Sequence, residues 1–294
     1  MPEKQMNWIS GNTKILAVFG WPLTYTLSPR FQNTALRLSG IDARYLALPV
    51  PDEAGFLTLA KGLMASPHFV GGNVTNPYKI PALKLVKRLG PAAKAIGAVN
   101  TLRRDGKTWV GENTDAAGFV ACLAAAGVKL KGRRVVILGA GGAARAVAWA
   151  AGNAGAKSVL VLSAPFPASQ PKSVAQAQAR ACAKLAGRAG VSGDLNPNIV
   201  SLASAAADVI VNTLPGAAPG KLYGSVLLRR PKAGCAVMDL SYVPAETAFM
   251  KAAYNRGWLT INGLGMLLEQ GRAAFQFWFK KKPDLTALRR SVQK

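Results

Sequence analysis

The sequence of 294 residues is poor in histidine, cysteine and acidic side chains, and each shortage excludes a class of function. Its one histidine, His68, rules out an HExxH zinc site and any metal site that needs a pair of histidines. The three cysteines, Cys122, Cys182 and Cys235, lie far apart and form no CxxC pair. This spacing argues against a disulfide scaffold or a structural zinc site, and it is typical of a reducing compartment such as the cytoplasm.

Acidic residues are scarce: 13 Asp and Glu stand against 37 Lys and Arg, which gives a formal net charge of +24. None lies between Glu53 and Asp105, or between Asp115 and Asp194. Such a charge is typical of proteins that bind nucleic acid, anionic membranes or anionic small molecules. No helix-turn-helix pattern, RNP aromatic stretch or zinc finger accompanies the charge, so we expect no specific nucleic-acid binding.

Long apolar runs are also missing. The N-terminus carries Glu3 and no apolar core, so it does not have the pattern of a secretory signal. The most apolar stretch, 135–156, contains a cluster of glycines and is interrupted by Arg145 and Asn153. These interruptions argue against a membrane-spanning helix, and we expect no membrane association.

The apolar pattern alternates short β-type runs with helical segments, which predicts a mainly parallel sheet covered by helices. At roughly 150 residues per domain, the length suggests about two domains. We predict strands over 13–19, 45–50, 69–74, 108–110, 134–138, 159–162, 209–212 and 236–240. We predict helices from about Pro29, from Asp52 through Leu63, and over 81–89, 115–126 and 264–279, with a loop over 164–171.

A glycine-rich turn, 139–144 (GAGGAA), directly follows the strand predicted over 134–138 and fits the dinucleotide-binding pattern GxGxx(G/A). The first glycine allows the tight turn, the second lets a pyrophosphate approach the backbone, and the small third residue allows helix–strand packing. The amides at the start of the following helix can then bind the phosphates. The alternative is a tight turn in a buried α/β unit that binds no nucleotide.

The next strand distinguishes NAD from NADP. In NAD-binding proteins an acidic residue at its end, about 20 residues past the glycines, bonds the ribose 2′-hydroxyl. Here that strand ends near Ser163, and the stretch 116–193 contains ten Lys and Arg but no acid. NADP is therefore favoured, with Ser163, Arg145 and Lys172 as candidate partners of its 2′-phosphate. The residues leave open which cation binds it.

Short polar stretches in the first half follow strand ends or precede helices, where α/β proteins place ligand-binding residues. Each has an ordinary explanation when taken singly: Ser28 and Asp115 can cap helices, and Lys79 can be a solvated surface residue. The stretches are TLSP at 26–29, NVTNPYK at 73–79, GAVNT at 97–101 and GENTD at 111–115.

Together these stretches resemble the shikimate dehydrogenase family over nearly the whole chain, because seven motifs occur in the family's order. They are GWPLTYTLSPRFQN at 20–33, NVTNPYK at 73–79, GAVNT at 97–101, ENTD at 112–115, GAGGAAR at 139–145, DLSYVPAET at 239–247 and GLGMLLEQ at 263–270. The resemblance implies two α/β domains flanking a cleft. Residues 1–114, completed by C-terminal helices over 263–294, would bind substrate, and 115–262 would form a Rossmann-type NADP-binding domain.

The resemblance also implies the activity, an NADP-dependent, reversible reduction of 3-dehydroshikimate to shikimate in aromatic amino-acid biosynthesis, by a monomer or homodimer. Lys79 and Asp115 match the family's catalytic acid–base pair. The positions that match its substrate-binding residues are Thr26 and Ser28 for the carboxylate, Thr75, Asn100 and Gln270 for the ring hydroxyls, and Tyr242. The positions that match its cofactor-binding residues are Gly139, Ala140, Gly141, Gly142, Ala143, Arg145, Ser163 and Gly263.

Three positions depart from the family pattern. Thr26 replaces the first serine of a Ser-x-Ser pair, and Tyr25 replaces a histidine. The added methyl of Thr26 keeps open an alternative function, a quinate/shikimate dehydrogenase or a divergent paralogue. The sequence Ser163-Ala164-Pro165 stands where the family has an Asn-Arg-Thr-type phosphate clamp, which predicts weaker NADP binding without adding negative charge.

Overall fold

The computed structural model describes residues 9–165, 169–214 and 234–293. The chain divides into two compact units, each built on a six-stranded sheet. Unit 1 comprises Met1–Thr114 and Leu267–Lys294, and unit 2 comprises Asp115–Met266. The predicted fold class, two α/β units, is confirmed.

Unit 1 has a mixed sheet. Its strands are β1 (Lys14–Gly20), β2 (Ala43–Pro49), β3 (Phe69–Val74), β4 (Arg88–Leu89), β5 (Thr101–Asp105) and β6 (Thr108–Glu112), in the order β2-β1-β3-β5-β6-β4. β1 is parallel to β2 and β3, whereas β5 is antiparallel to β3 and β6. The N-terminal segment adds helices α1 (Ser28–Leu38), α2 (Glu53–Ala65) and α3 (Pro91–Ile96), and a 3₁₀ helix at Pro81–Leu85.

Unit 2 has an all-parallel sheet of Rossmann type. Its strands are β7 (Arg134–Leu138), β8 (Ser158–Ser163), β9 (Gly190–Asp194), β10 (Val209–Asn212), β11 (Ala236–Asp239) and β12 (Leu259–Asn262), in the order β12-β11-β10-β7-β8-β9. The described helices are α4 (Asp115–Ala125), α5 (Gly142–Asn153), α6 (Lys172–Lys184), α7 (Pro197–Ala206) and α8 (Ala248–Tyr254), with a 3₁₀ helix at Gly187–Ala189. β7 lies inside the sheet and its last four residues are buried, as its run of β-branched and aliphatic residues predicts.

The C-terminal helix α9 (Leu264–Phe279) contributes to both units, and α10 (Leu285–Val292) follows it. The first turn of α9 belongs to unit 2, because a side chain on Gly265 would meet Cys122 of α4, 2.7 Å from its sulfur. From Leu267 onward the chain belongs to unit 1. The return to unit 1 therefore lies within α9, four residues after the predicted boundary at 263.

The helix predicted over 81–89 is wrong. The 3₁₀ helix ends at Leu85, Val86 is extended, and β4 pairs with β6. The backbone N–H groups of Lys87 and Gly90 donate to carbonyls of Trp109 and Gly111, so pairing with a distant strand replaces local helical bonds. Helix α3 and strands β5, β9 and β12 were not predicted. The predicted predominance of parallel pairing is confirmed, because only β5 is antiparallel to its neighbours among the described strands.

Membrane helices and metal clusters can both be assessed over the described part of the chain. Among those residues, no helix has the length and apolar character needed to cross a bilayer. The same residues contain no cluster of three or more His, Cys, Asp or Glu that could hold a metal ion. The loop predicted over 164–171 lies partly outside the described residues.

Candidate active site

In unit 1, two of the predicted substrate-binding stretches meet at one edge of the sheet. Thr75 follows β3, and its backbone N–H donates to the carbonyl of Phe19 near the end of β1 (2.8 Å). The loop from β1 to α1 is tied to the same place, because Trp21 donates to the carbonyl of Asn76 (3.0 Å). The carboxyl ends of β1 and β3 therefore carry residues 20–28 and 73–79 side by side, where α/β sheets bind ligands.

Ser28 begins helix α1 and does not cap it. Leu27 holds the N-cap position without a side-chain hydrogen bond, and the backbone N–H of Ser28 lies 3.4 Å from the Thr26 hydroxyl oxygen. Ser28 is buried, whereas Thr26 is half-buried. The start of α1 thus offers two hydroxyls beside an uncapped helix N-terminus, an arrangement that favours an anion.

Asn100 is the centre of a buried polar cluster in unit 1. Its Oδ1 accepts the Thr101 hydroxyl and the Thr114 backbone N–H, both at 2.8 Å. Its Nδ2 donates to the Thr114 hydroxyl (3.0 Å) and lies 3.4 Å from Oε1 of Gln270 in α9. Asn100 and Gln270, which the resemblance assigned to one ligand, are therefore brought together from positions 170 residues apart.

Lys79 lies beside this cluster along the backbone. Its carbonyl accepts the N–H of Val99 (2.7 Å), and the neighbouring Tyr78 hydroxyl donates to the carbonyl of Val50 (2.7 Å). The Lys79 side chain is half-buried. Asp115, its predicted catalytic partner, is buried at the first position of α4 and belongs to unit 2. Lys79 and Asp115 therefore belong to different units.

In unit 2, the glycine-rich turn connects β7 to α5. Gly139 has a φ of +107°, a conformation that side chains rarely adopt, and a Cβ there would lie 2.5 Å from Oγ1 of Thr213. Its N–H donates to the carbonyl of Leu162 in β8 (2.8 Å), which fixes the turn over the sheet. The first glycine is therefore required by the backbone, as the pattern predicts.

The residues after Gly139 fit a bound pyrophosphate. Gly141 has an ordinary extended backbone, and no atom of the described residues, its chain neighbours aside, lies within 4 Å of the place where its Cβ would be. No side-chain hydrogen bond caps α5, which begins at Gly142, and Ala144 is fully buried against the sheet. Open space over Gly141 and an uncapped helix N-terminus are what a dinucleotide phosphate needs.

The turn lies at the switch point of the unit 2 sheet, where the chain has gone from β7 towards β9 and returns to β10 on the other side. Thr213 directly follows β10 and donates its hydroxyl to the carbonyl of Leu138 (2.8 Å). Dinucleotides bind at this crevice in doubly wound sheets. Thr213 was not predicted as a site residue; its only signal in the sequence is a polar residue directly after the buried run VIVN.

Ser163, at the end of β8, is buried and lies in register with Asp194 at the end of β9. The Asp194 carboxylate accepts the Gln176 amide and forms an ion pair with Lys172, both at 3.0 Å. These two partners lower the pKa of the Asp194 carboxyl. An acid thus lies one strand beyond the predicted position, just past the acid-free stretch, and it already engages Lys172.

Two more predicted site residues, Tyr242 and Gly263, lie in the loops that follow β11 and β12. Asp239 is buried and accepts the backbone N–H of Ser241 (2.9 Å) and the hydroxyl of Thr247 (2.8 Å), which fixes the turn that carries half-buried Tyr242. Gly263 directly follows β12, and a Cβ there would overlap the carbonyl group of Leu240. The close approach of these two loops requires glycine at 263.

A parallel sheet with a glycine turn at its switch point defines unit 2 as a dinucleotide-binding module of the Rossmann type. Unit 1 supplies buried amides, hydroxyls and a lysine at strand ends, which suits a small polar ligand. The fold and these residues together are typical of nicotinamide-dependent oxidoreductases, in which the protein positions substrate against the cofactor.

Comparison with known proteins identifies the family. Residues 18–102 match the shikimate dehydrogenase substrate binding domain, and residues 263–293 match the shikimate 5′-dehydrogenase C-terminal domain. A shikimate dehydrogenase (NADP(+)) of Carboxydothermus hydrogenoformans is 36% identical to this protein, and the match covers 97% of this chain and 98% of that relative's length. The chain belongs to the shikimate dehydrogenase family, which confirms the resemblance seen in its motifs.

Solved structures of shikimate dehydrogenases have the same fold as this chain. The shikimate 5-dehydrogenase of Listeria monocytogenes, in complex with shikimate and NAD, has a TM-score of 0.82 at 27% identity, covering 96% of this chain and 97% of that one. The shikimate 5-dehydrogenase of Thermus thermophilus, in complex with NADP(H) and shikimate, has a TM-score of 0.77 at 31% identity, covering 96% and 99%.

Proposed function

We propose that the protein catalyses the NADP-dependent, reversible reduction of 3-dehydroshikimate to shikimate, a step of aromatic amino-acid biosynthesis. The observation that carries this proposal is the pairing of Asn100 with Gln270 in the buried cluster of unit 1. Relatives named as NADP(+)-dependent shikimate dehydrogenases, similar over nearly the full length, support the choice of substrate and cofactor.

Residues 1–114, with the C-terminal helices, bind the substrate in this proposal. Thr26 and Ser28 hold its carboxylate, because hydroxyl donors and an uncapped helix N-terminus stabilise a negative charge. Thr75, Asn100 and Gln270 bind its ring hydroxyls. An amide both donates and accepts hydrogen bonds, and therefore matches a hydroxyl group that does the same. Tyr242 of unit 2 completes the set of substrate residues.

Residues 115–262 bind NADP. The turn Gly139-Ala140-Gly141-Gly142-Ala143 holds the pyrophosphate, and Arg145 and Ser163 hold the 2′-phosphate. Gly263 contacts the cofactor through its backbone, since the Leu240 carbonyl group leaves no space for a side chain there. Bound there, the nicotinamide supplies the hydride chemistry, while the chain's own residues orient the substrate and move its proton.

Lys79 and Asp115 form the acid–base pair. As the ketone becomes an alcohol, the Lys79 ammonium donates a proton to the carbonyl oxygen, and in the reverse direction the neutral amine removes that proton. The Asp115 carboxylate stabilises the ammonium form and orients it. A positioned acid–base group of this kind contributes about 10²–10⁴ in rate.

A spectrophotometric assay that crosses shikimate and quinate with NADP⁺ and NAD⁺ tests the proposal. We expect NADP⁺ reduction with shikimate and much lower kcat/KM for the other three combinations. Purified protein that is folded but inert with shikimate on both cofactors would contradict the proposal. A kcat/KM for quinate equal to or above that for shikimate would favour the alternative raised by Thr26.

We also propose that the protein acts in the cytoplasm as a monomer or homodimer, with no specific nucleic-acid partner and no membrane partner. Its three cysteines are buried and unbridged, which suits a reducing compartment. Light scattering after gel filtration distinguishes monomer from dimer. Retention on DNA that disappears at moderate salt would reflect the net charge alone.

A further inference from the structure

A chain of buried hydrogen bonds crosses unit 1 from Ser28 to Asn100. The Ser28 side chain is hydrogen-bonded to the Tyr45 hydroxyl, which lies 2.7 Å from Oδ1 of Asn73. Nδ2 of Asn73 donates to the carbonyl of Asn100 (3.2 Å) and to the Thr101 hydroxyl (3.0 Å). All five residues are at least nine-tenths buried. The chain thus begins and ends at residues that we assign to the substrate.

The chemistry of the groups fixes the direction of these bonds. The Asn100 carbonyl can only accept, so Asn73 turns its Nδ2 towards it and its Oδ1 towards Tyr45. Tyr45 must then donate its proton to Asn73, and its oxygen accepts the Ser28 hydroxyl. Burial raises the pKa of Tyr45 well above 10.0, and the Ser28 hydrogen bond opposes that rise. The phenol therefore stays protonated and keeps donating at neutral pH.

A second set of contacts holds Tyr45 against helix α1. The Asn33 side chain donates to the carbonyls of Pro29 and Tyr45 and accepts the Tyr45 backbone N–H, at 2.8–2.9 Å. Asn33 therefore fixes strand β2 against the first turn of α1, which carries Ser28. The position of Ser28 depends on Tyr45 through the backbone as well as through the hydroxyl.

Filling space alone would not require the Tyr45 hydroxyl. The ring packs against Trp278, with centroids 6.0 Å apart, and phenylalanine would fill the same volume. The hydroxyl instead connects several buried polar side chains, and such networks specify one arrangement when every member is satisfied. The two outer ends of this hydrogen-bonded network are Ser28 and the Asn100–Gln270 pair.

We propose that Tyr45 is a positioning residue, which holds Ser28 at a set distance from Asn100 and Gln270. This inference rests on the proposed function, in which Ser28 binds the carboxylate and the amides bind the ring hydroxyls. The buried chain then presets the spacing between the two ends of the substrate. Because it acts on substrate binding rather than on the proton donor, loss of the Tyr45 hydroxyl affects KM more than kcat.

Kinetics of Tyr45→Phe, made in the wild type and in Ser28→Ala, test this inference. In the wild type we expect KM for shikimate to rise roughly fivefold to tenfold, about the effect of one lost hydrogen bond, with kcat within about twofold. In the Ser28→Ala protein we expect no further rise, because the residue that Tyr45 positions is already gone.

Phe69→Leu is the matched control. Phe69 is fully buried at the opposite end of β3, where its ring packs against Phe19 and Trp109, so its truncation lowers stability without changing KM. Thr101→Val provides a second test, since it removes the hydroxyl that links Asn73 to Asn100 Oδ1, and we expect the same KM pattern. It also decides the question if Tyr45→Phe does not fold.

An unchanged KM in Tyr45→Phe and Thr101→Val, or an equal KM rise in the wild-type and Ser28→Ala backgrounds, would overturn the inference while leaving the proposed function intact. A wild-type protein without shikimate turnover would overturn both. A KM rise of the same size in Phe69→Leu would assign the effect to general loss of stability, and would also overturn the inference.

Discussion

The indole Nε1 of Trp278 donates a hydrogen bond of 2.9 Å to the carbonyl oxygen of Leu102, which lies 176 residues earlier in the chain. A Cβ on Gly71 of β3 would lie 2.7 Å from the same nitrogen, so α9 approaches the unit 1 sheet where a strand residue has no side chain. The bond ties the C-terminal segment into the sheet and makes it part of the core of unit 1.

Trp278→Phe is expected to keep most of the aromatic packing and to leave the buried Leu102 carbonyl without its donor. An unpaired buried acceptor costs about 1–3 kcal/mol, so the free energy of unfolding of unit 1 falls by that amount. Urea unfolding followed by far-UV circular dichroism measures the change. Gln276→Ala, on the exposed side of the same helix, is the control, and an equal loss in the two variants would contradict the prediction.

Lys79→Met removes the proposed proton donor while keeping the length of the side chain. We expect kcat to fall by about 10²–10⁴ and the melting temperature to stay close to that of the wild type, because the change leaves the packed core intact. Lys87→Met, which neutralises an exposed lysine of the same unit, controls for the loss of positive charge. A kcat for Lys79→Met within tenfold of that control would exclude an acid–base role.

Gly139→Ala and Gly141→Ala separate the two uses of glycine in the dinucleotide turn. Alanine at 139 meets Thr213 and a φ of +107°, so we expect a stability loss of about 1–3 kcal/mol together with weaker NADP binding. Alanine at 141 meets no atom of the described residues within 4 Å, so we expect only the small stability loss of alanine at a helix N-cap, at most about 1 kcal/mol, and NADP binding weakened roughly tenfold or more.

Thermal melts and calorimetric titration with NADP⁺ measure both quantities for these glycine variants. Gly62→Ala, inside helix α2 and clear of the other described residues, is the control: it should leave NADP affinity unchanged and raise stability by up to about 1 kcal/mol, because alanine favours a helix more than glycine does. Unchanged NADP affinity in Gly141→Ala would contradict the placement of the pyrophosphate over this turn.

The buried thiol of Cys182 is expected to make the protein less stable at alkaline pH. Burial raises the pKa of its thiol from 9.0 to about 12, and the charge of Arg145 opposes the rise. Below pH 9.0 the thiol is protonated in both states and its contribution to stability is complete. As the pH rises towards about 12, only the unfolded chain loses the proton, so stability falls.

The difference in melting temperature between wild type and Cys182→Ala measures this contribution. We expect the wild type to be more stable near neutral pH, and its advantage to shrink above about pH 9, by about 1.4 kcal/mol for each further pH unit. Val161→Ala, a buried truncation without a titrating group, should keep a constant difference. A difference for Cys182→Ala that does not change with pH would contradict the raised pKa.

The sequence predicted best where a local pattern and the tertiary environment agree. Strands over 69–74, 134–138 and 209–212 and the helix over 264–279 have their predicted bounds. In β7 and β10 the aliphatic runs VVIL and VIV are buried in the sheet, as such runs predict. The glycine turn was also predictable, since the backbone at Gly139 permits little else. Asp52 caps α2 as expected, accepting the N–H of Gly55.

The elements and contacts that the sequence did not predict depend on partners distant in sequence. Strand β9 (GVSGD) has no apolar alternation and exists because it pairs with β8, and β4 exists because it pairs with β6. The polar role of Tyr45 could not be predicted either, since a tyrosine in a β-type run is an ordinary core residue. Only the fold places its hydroxyl between Ser28 and Asn73.

Because the chain returns to unit 1 after completing unit 2, the two units become complete at different times as the polypeptide leaves the ribosome. Unit 2 is contiguous, from Asp115 to Met266, and all of its residues are present before the C-terminal segment is made. Unit 1 lacks Gln270 and Trp278 until all of unit 2 has been synthesised. Since domains generally fold as their residues become available, we expect the later half of this protein to fold first.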